Sequence, residues 1–444
     1  MYCDDTCSTT PSKINDMKQL ITVCIFLVSL LLMACTNQST TEMESSSITA
    51  EEILGNPDYP AISYSGYRGI TRDIQPTIAE LKEDMLILEA LGIKIVRTYN
   101  LYLDAVPNLL QAISELKEED PEFEMYVMMG AWIDAKNAWT DEPERIRDED
   151  HPRNPAEIDR AARYAAMYPD IVKVIAVGNE AMVHWQQEYY VEPGIILKWV
   201  QDLQERKANG EIPEGTWITS SDNFASWGGG GEEYHKEDLN ELIRSVDYIS
   251  MHTYPMHDTH YNPDFWGVPE DQEGMTDMEK IQAAMDRSLE YAVGQYQSVI
   301  DYMESLGVDK EVHIGETGWA TVSNGQYGPE GSRATDEYKM ALFHDMIREW
   351  SDENGVSVFY FEATDEKWKD AANQMGSENH FGLITLQSEA KYVLWDEVDA
   401  GVFDGLTRDG MPITKTFDGD LERLMETVKV PPTEEEIAAR QEEE

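Results

Sequence analysis

Cysteine is nearly absent from this sequence. There are four, Cys3, Cys7, Cys24 and Cys35, and all lie within the first 35 residues. Everything beyond Cys35 can form no disulfide and no zinc site built on thiolates. Basic residues are also scarce. Against 86 Asp+Glu stand 34 Lys+Arg, a net charge of −52 with His neutral. Nucleic acid is a polyanion held mainly through Lys and Arg, so the composition argues against a nucleic-acid partner. It argues equally against a polybasic patch on anionic lipid. No Gly-x-Gly-x-x-Gly follows the first β-rich run, which weakens a dinucleotide-binding reading. Gly228–Gly231 lack the Gly-Lys-Ser/Thr of a phosphate loop and read as a flexible loop. No dense His/Asp spacing suggests a metal, and Asp148-Glu149-Asp150 lacks the spacing of a calcium loop. No metal or cofactor is therefore expected. Disorder is not implied, because 41% of residues are hydrophobic and 11 are Trp.

A single long apolar run, residues 20–34, is shorter than the ~20 residues of a bilayer span. With Lys13 and Lys18 ahead of it, it fits the core of an export signal, and Met17 offers an alternative start. The run ends in Leu32-Met33-Ala34-Cys35, which resembles the lipobox of bacterial lipoproteins. That resemblance implies cleavage before Cys35 and lipidation of Cys35. Residues 36–51, rich in Ser and Thr, read as a flexible tether.

From about Asp58, short β-rich runs alternate with helical stretches, the pattern of a parallel sheet covered by helices. The expected strands are 61–64, 93–99, 124–131, 172–178, 217–221, 246–254, 311–315 and 357–362. Helical stretches include 77–91, 155–167, 194–207, 281–306 and 334–350. Leu81, Met85, Leu88 and Leu91 show the three- and four-residue spacing of one buried face. Eight β/α units predict a (β/α)8 TIM barrel, with a doubly wound open sheet as the alternative. The chain exceeds a minimal barrel, and the surplus falls in loops 134–154 and 256–280. Both follow expected strands, so both belong to the C-terminal rim, where barrel active sites form.

Two strands run straight into a carboxylate. One is Ile175-Ala176-Val177-Gly178-Asn179-Glu180, by count strand four; the other is Val312-His313-Ile314-Gly315-Glu316, strand seven. A Glu at the C-terminal end of a barrel strand points into the mouth, and two from opposite sides can face each other. Glycoside hydrolysis needs such a pair, one to protonate the leaving oxygen and one to attack the anomeric carbon. Asn179 could hold a sugar hydroxyl. A lone strand-end Glu is more often merely polar; two, each preceded closely by Gly, favour chemistry.

These segments resemble glycoside hydrolase family 17, the β-1,3-glucanases and related glucanosyltransferases, over roughly residues 63–383. The strongest matches are Val177-Gly178-Asn179-Glu180 and Ile314-Gly315-Glu316-Thr317-Gly318-Trp319. Ile95-Val96-Arg97-Thr98-Tyr99, Tyr360-Phe361-Glu362-Ala363 and Glu378-Asn379-His380-Phe381-Gly382-Leu383 add to them. The resemblance implies a retaining double displacement with Glu180 as acid/base and Glu316 as nucleophile. It places Tyr254, in Met251-His252-Thr253-Tyr254-Pro255, on the nucleophile, with His252 as a further substrate-side residue. Asp365-Glu366-Lys367-Trp368-Lys369 resembles the Asp-Glu-x-x-Lys of plant members, which puts Glu366 and Lys369 near the catalytic pair. Thr364 stands where plant members often carry an aromatic residue, so the subsites differ in shape.

Sugar binding uses flat aromatic faces with polar groups between them. Trp132 and Trp319 at strand ends are the expected platforms, with Tyr99, Asn100, Glu362 and Trp368 as further substrate contacts. Trp139, Trp227 and Trp266 in rim loops are weaker candidates. The expected organisation is a signal over 1–34, lipidated Cys35 with a tether over 35–57, a catalytic barrel over 58–428 and an acidic tail over 429–444. The expected protein is an exported monomer, lipid-anchored at a bacterial outer membrane or cell surface, touching membrane only through its lipid. Its expected substrate is neutral β-1,3-glucan, cleaved in endo fashion. A glucanosyltransferase and a non-catalytic surface glycan binder are the alternatives.

Overall fold

A computed structural model describes residues 48–442. Cys35, the apolar run and the first part of the tether lie outside the described residues. Eight parallel strands close into a barrel: β1 (Ala61–Ser63), β2 (Ile95–Arg97), β3 (Tyr126–Ala131), β4 (Val172–Asn179), β5 (Trp217–Asn223), β6 (Ile249–His252), β7 (Val312–Gly318) and β8 (Val358–Phe361). Closure is made by β8 on β1, with Ala61 beside Phe359. Helices Ile78–Ala90, Ala105–Glu119, Asn154–Met167, Pro193–Ala208, Glu237–Ser245, Asp277–Ser305 and Glu337–Asn354 cover it. The fold is the expected (β/α)8 barrel, and each expected strand is present.

Local sequence sets the helix starts. Thr77 accepts the Glu80 N–H at 3.3 Å, and the Glu80 carboxylate accepts the Thr77 N–H at 2.7 Å. Thr276 and Glu279 repeat this reciprocal cap. One apolar layer fills the space between strands and helices. A second fills the floor of the barrel, where Ile95, Tyr126, Val174, Tyr248 and Phe359 meet. The interior then turns polar toward the C-terminal rim. Two residues beyond Ile95 stands Arg97; beyond Tyr248 stand Ser250 and His252, all buried. That gradient follows the two-residue period of each strand and concentrates chemistry at one end.

The floor is sealed by the stretch expected to be tether. Ala50–Ile53 form a helical turn, and Ala50, Ile53 and Leu54 are buried in the floor layer. Burying a side chain such as Ile53 contributes about 1.5–3 kcal/mol toward holding this segment against the floor. The expected acidic tail also docks. Glu434–Gln441 is helical, Val268 donates its N–H to Pro432 O at 2.8 Å, and Arg333 pairs with Glu436 at 2.9 Å. Gly228–Gly231, expected to be flexible, packs on helix Asp277–Ser305, where a Cβ at Gly228 would collide with the Tyr302 ring. No helix among the described residues is long and apolar enough to cross a membrane.

Candidate active site

Glu180 directly follows β4 and Glu316 lies near the end of β7, and a closely preceding glycine makes each placement feasible. At the end of β4, Gly178 has φ +82° and Glu180 φ +44°. Glycine takes that left-handed conformation at no steric cost, whereas Glu does not. Glu180 is held in it from three sides. Its N–H donates to Ser221 O at 3.0 Å, Val191 N–H donates to Ala181 O at 2.7 Å, and Met182 N–H donates to Asp222 Oδ2 at 2.8 Å. Burial, opposed by the Met182 and Asn223 N–H groups and aided by the Glu180 charge, pushes the Asp222 carboxyl up to about 7. On β7, a Cβ at Gly315 would collide with Ser250 Oγ and Ser221 Oγ. Glycine there lets β7 lie close to the serine layer and sets Glu316 directly above it.

Glu316 is 7% exposed and surrounded by donors. Arg97 Nη1 and Tyr99 OH (3.0 Å) donate to Oε2, and Tyr254 OH donates to Oε1 at 2.6 Å. Burial alone would raise its pKa. The Arg97 charge, with His252, the Tyr254 bond and Lys369, outweighs burial and holds the carboxyl down to about 2. Arg97 also donates from Nη2 to Asn179 Oδ1 at 2.6 Å, which leaves the Asn179 amide N–H groups for the cleft.

Glu180 differs. Its side chain is 22% exposed, and among the described residues it pairs with no Lys or Arg. Its partner is His252 Nδ1 at 3.2 Å. On its other side the ring is held at Nε2, which lies 2.8 Å from Ser221 Oγ and 3.3 Å from Arg97 Nη2. His252 meets Oε1, and among the described residues Oε2 makes no hydrogen bond to the protein. One carboxylate is thus fixed in its ionised form by three donors; the other faces the cleft without a cation.

Both open into a cleft of about 1330 Å³, larger than the ~300–1,000 Å³ of ordinary small-molecule pockets. Tyr99, Asn100, Trp132, Asn179, Tyr254, Glu366, Trp368 and Lys369 line it, as expected from sequence. Trp139, a weaker expectation, lines it too. Asp365 anchors the β8 segment, accepting Lys391 Nζ at 2.8 Å and Gly382 N–H at 3.0 Å. Lys369 then sits 3.5 Å from Glu366 and 3.8 Å from Glu362, with its ammonium 3.8 Å from the centre of the Phe361 ring. Asn100 Oδ1 and Trp368 Nε1 are buried polar atoms with no hydrogen-bond partner in the protein. Since such atoms are costly to leave unpaired, hydroxyl-rich ligand groups are their natural complement.

Five expected residues need correction. Trp319 is fully buried, its indole N–H donating to Ala334 O at 2.8 Å beside Phe343, so it is core and no platform. Glu362 is 1% exposed and off the cleft wall; burial and the neighbouring Glu366 push its carboxyl well above the usual range. His252 is wholly buried and reaches Glu180 and Arg97, so it positions rather than touches substrate. Trp227 and Trp266 are also core residues, donating to Ser250 O and Ser332 O. Arg97, Ser221, Asp134 and Tyr189 were not read as site residues. Arg97 carried a signal, a charge two residues after Ile95 on the inward face of an apolar strand.

Comparison with known proteins places this constellation. A family described as the BtgE/BtgC glycoside hydrolase domain matches residues 61–382, from the first residue of β1 to beyond β8. The chain belongs to that family. Among solved structures, an endo-laminarinase from Formosa Hel1_33_131 is 60% identical, with a TM-score of 0.86, covering 87% of this chain and 98% of that one. A probable glucan endo-1,3-beta-glucosidase of Aspergillus clavatus is 22% identical over 77% of this chain and 44% of that protein. The chain therefore spans less than half the length of that relative. A glucan 1,3-beta-glucosidase of Arthroderma benhamiae is 23% identical over 60% of this chain and 70% of its own length. As a BtgE/BtgC glycoside hydrolase, the chain keeps both strand-end Glu residues inside the matched region.

Proposed function

We propose that this chain is a retaining endo-β-1,3-glucanase of laminarinase type within glycoside hydrolase family 17. The observation that carries the reading is the asymmetry of the pair. Glu316 is buried and held ionised by Arg97, Tyr99 and Tyr254, while Glu180 opens to the cleft beside His252 with no cation from Lys or Arg paired to it among the described residues. In the first step a Glu316 oxygen attacks the anomeric carbon as Glu180 gives its proton to the departing glycosidic oxygen. In the second, Glu180 takes a proton from water, whose oxygen displaces Glu316 from the same carbon. The 60% identity to an endo-laminarinase supports both the linkage and internal cleavage.

Product analysis on a linear β-1,3-glucan oligosaccharide tests this. Shorter oligosaccharides should appear from internal bonds, with the β-anomer formed first by NMR. No release from any β-glucan sinks the proposal, and initial α-anomer excludes retention.

The lipobox-like Leu32-Met33-Ala34-Cys35 supports a second proposal, export and lipid anchoring at Cys35. Expressed in a bacterium fed radiolabelled palmitate, the chain should take up label, and Cys35→Ser should not. Equal labelling of the two would place the lipid elsewhere.

A further inference from the structure

Trp139 is costly to hold where it is. It is 55% exposed, so it contributes little to the core, and its φ of +59° lies in the left-handed region that bulky side chains avoid. Three separate contacts nevertheless pin it. Its backbone N–H donates to Glu188 Oε1 at 2.5 Å, and Arg145 clamps that carboxylate at 2.7 Å. Its ring stacks on Tyr189, with centroids 5.7 Å apart and planes 24° apart. Its indole N–H donates to Asp134 Oδ1 at 2.9 Å.

Asp134 does more than hold one indole. The same oxygen accepts the indole N–H of Trp132 at 2.7 Å, and its other oxygen accepts Arg153 at 2.7 Å. The carboxylate is 1% exposed. Trp132 also packs on Tyr189, at 5.2 Å. Two indoles are thereby tied from behind by one buried acid, and both line the cleft. With their polar N–H groups already satisfied, what they offer the cleft is apolar ring surface. Strain and a buried charge spent on an exposed aromatic point to a ligand.

The wall stands on the side of Glu180. Tyr189 belongs to the segment that follows Glu180, and that segment is tied back by the bond from Val191 N–H to Ala181 O. Glu180 protonates the oxygen that departs, so sugars on its outer flank belong to the leaving part of the chain. The same positions hold an incoming acceptor in the return step.

We propose that Trp132 and Trp139 form a sugar-stacking site for the leaving or accepting glucosyl units, with Asp134 as its positioning residue. It rests on the glucanase reading and bears on the balance between water and sugar as acceptor. A ring held there keeps an acceptor hydroxyl near Glu180 in competition with water.

Trp139→Ala, at an exposed position, is the test. Its kcat/KM should be compared on a linear β-1,3-gluco-hexaose and on an aryl β-laminaribioside, whose aglycone carries no sugar. The loss on the hexaose should exceed the loss on the aryl glycoside at least tenfold, and transfer products should fall relative to hydrolysis products. Asp134→Ala, which frees both indoles, should give the same selective loss, chiefly in KM. Equal losses on the two substrates for Trp139→Ala, or none on either, overturn the site. Calorimetric binding of the hexaose to Glu316→Gln with and without Trp139→Ala reads the site separately from turnover. If binding weakens about tenfold while no glucan is cleaved by the unaltered chain, the site stands and the glucanase reading fails; unchanged binding overturns the site.

Discussion

Glu316→Gln should lose turnover on β-1,3-glucan by at least about a thousandfold, or about 4 kcal/mol at 1.36 kcal/mol per decade. The variant keeps the shape of the side chain but not its nucleophilic oxygen pair. Its amide also meets donors from Arg97, Tyr99 and Tyr254, which a carboxylate satisfies and an NH2 group opposes. Glu180→Gln should behave differently. General acid catalysis contributes about 10²–10⁴-fold, and only where the leaving oxygen needs a proton. The loss should therefore be large on glucan and small in the first step on a dinitrophenyl glycoside, whose leaving group departs as an anion. Measuring kcat/KM for both variants on both substrates separates the roles. Equal losses for Glu180→Gln on the two substrates, or retained turnover in Glu316→Gln, would falsify the assignment.

Much of this site was legible in the sequence because strands have a two-residue period and both Glu residues end apolar runs. The eight strands were visible for the same reason: buried parallel strands read as short apolar stretches. The signal failed where burial depends on loops. Trp319 directly follows β7, so its position suggested a platform, yet the turn carries it outward to Trp266 and Phe343. Glu362 directly follows β8, as Glu180 directly follows β4, but Lys369 and Glu366 fold over it. Strand-end position therefore shows which residues are near the mouth and not which face it. Asp134 was invisible for a different reason. Its role comes from Trp132, Trp139 and Arg153 converging on one carboxylate, and no spacing announces that a loop folds back on itself. The net charge of −52 excluded anionic partners but said nothing of the few cations that matter, of which Arg97 is one.

Replacing Arg97 with Met should move both the pH profile and the stability. Arg97 is 1% exposed and ties Glu316, Asn179 and His252 together. Its charge is the foremost of the effects that overcome burial and keep Glu316 near 2. Without it, burial prevails and the Glu316 pKa rises. A nucleophile must be ionised, so the acid limb of kcat/KM should shift to higher pH, with kcat falling even on the plateau. Removing one partner of a buried pair costs about 3–5 kcal/mol, which urea unfolding at neutral pH should register. The sign of the pH dependence checks the cause. A carboxyl depressed from 4.5 to about 2 stabilises the fold fully above 4.5, and that contribution fades as pH falls toward 2. The stability gap between the unaltered chain and Arg97→Met should accordingly narrow across that window. Arg97→Lys, which keeps the charge but loses the planar fork shared by Glu316 and Asn179, should fall between the two. An unmoved acid limb, with a stability gap that is the same at pH 7 and pH 3, would mean that the remaining groups, among them Tyr254, His252 and Lys369, hold Glu316 ionised without Arg97.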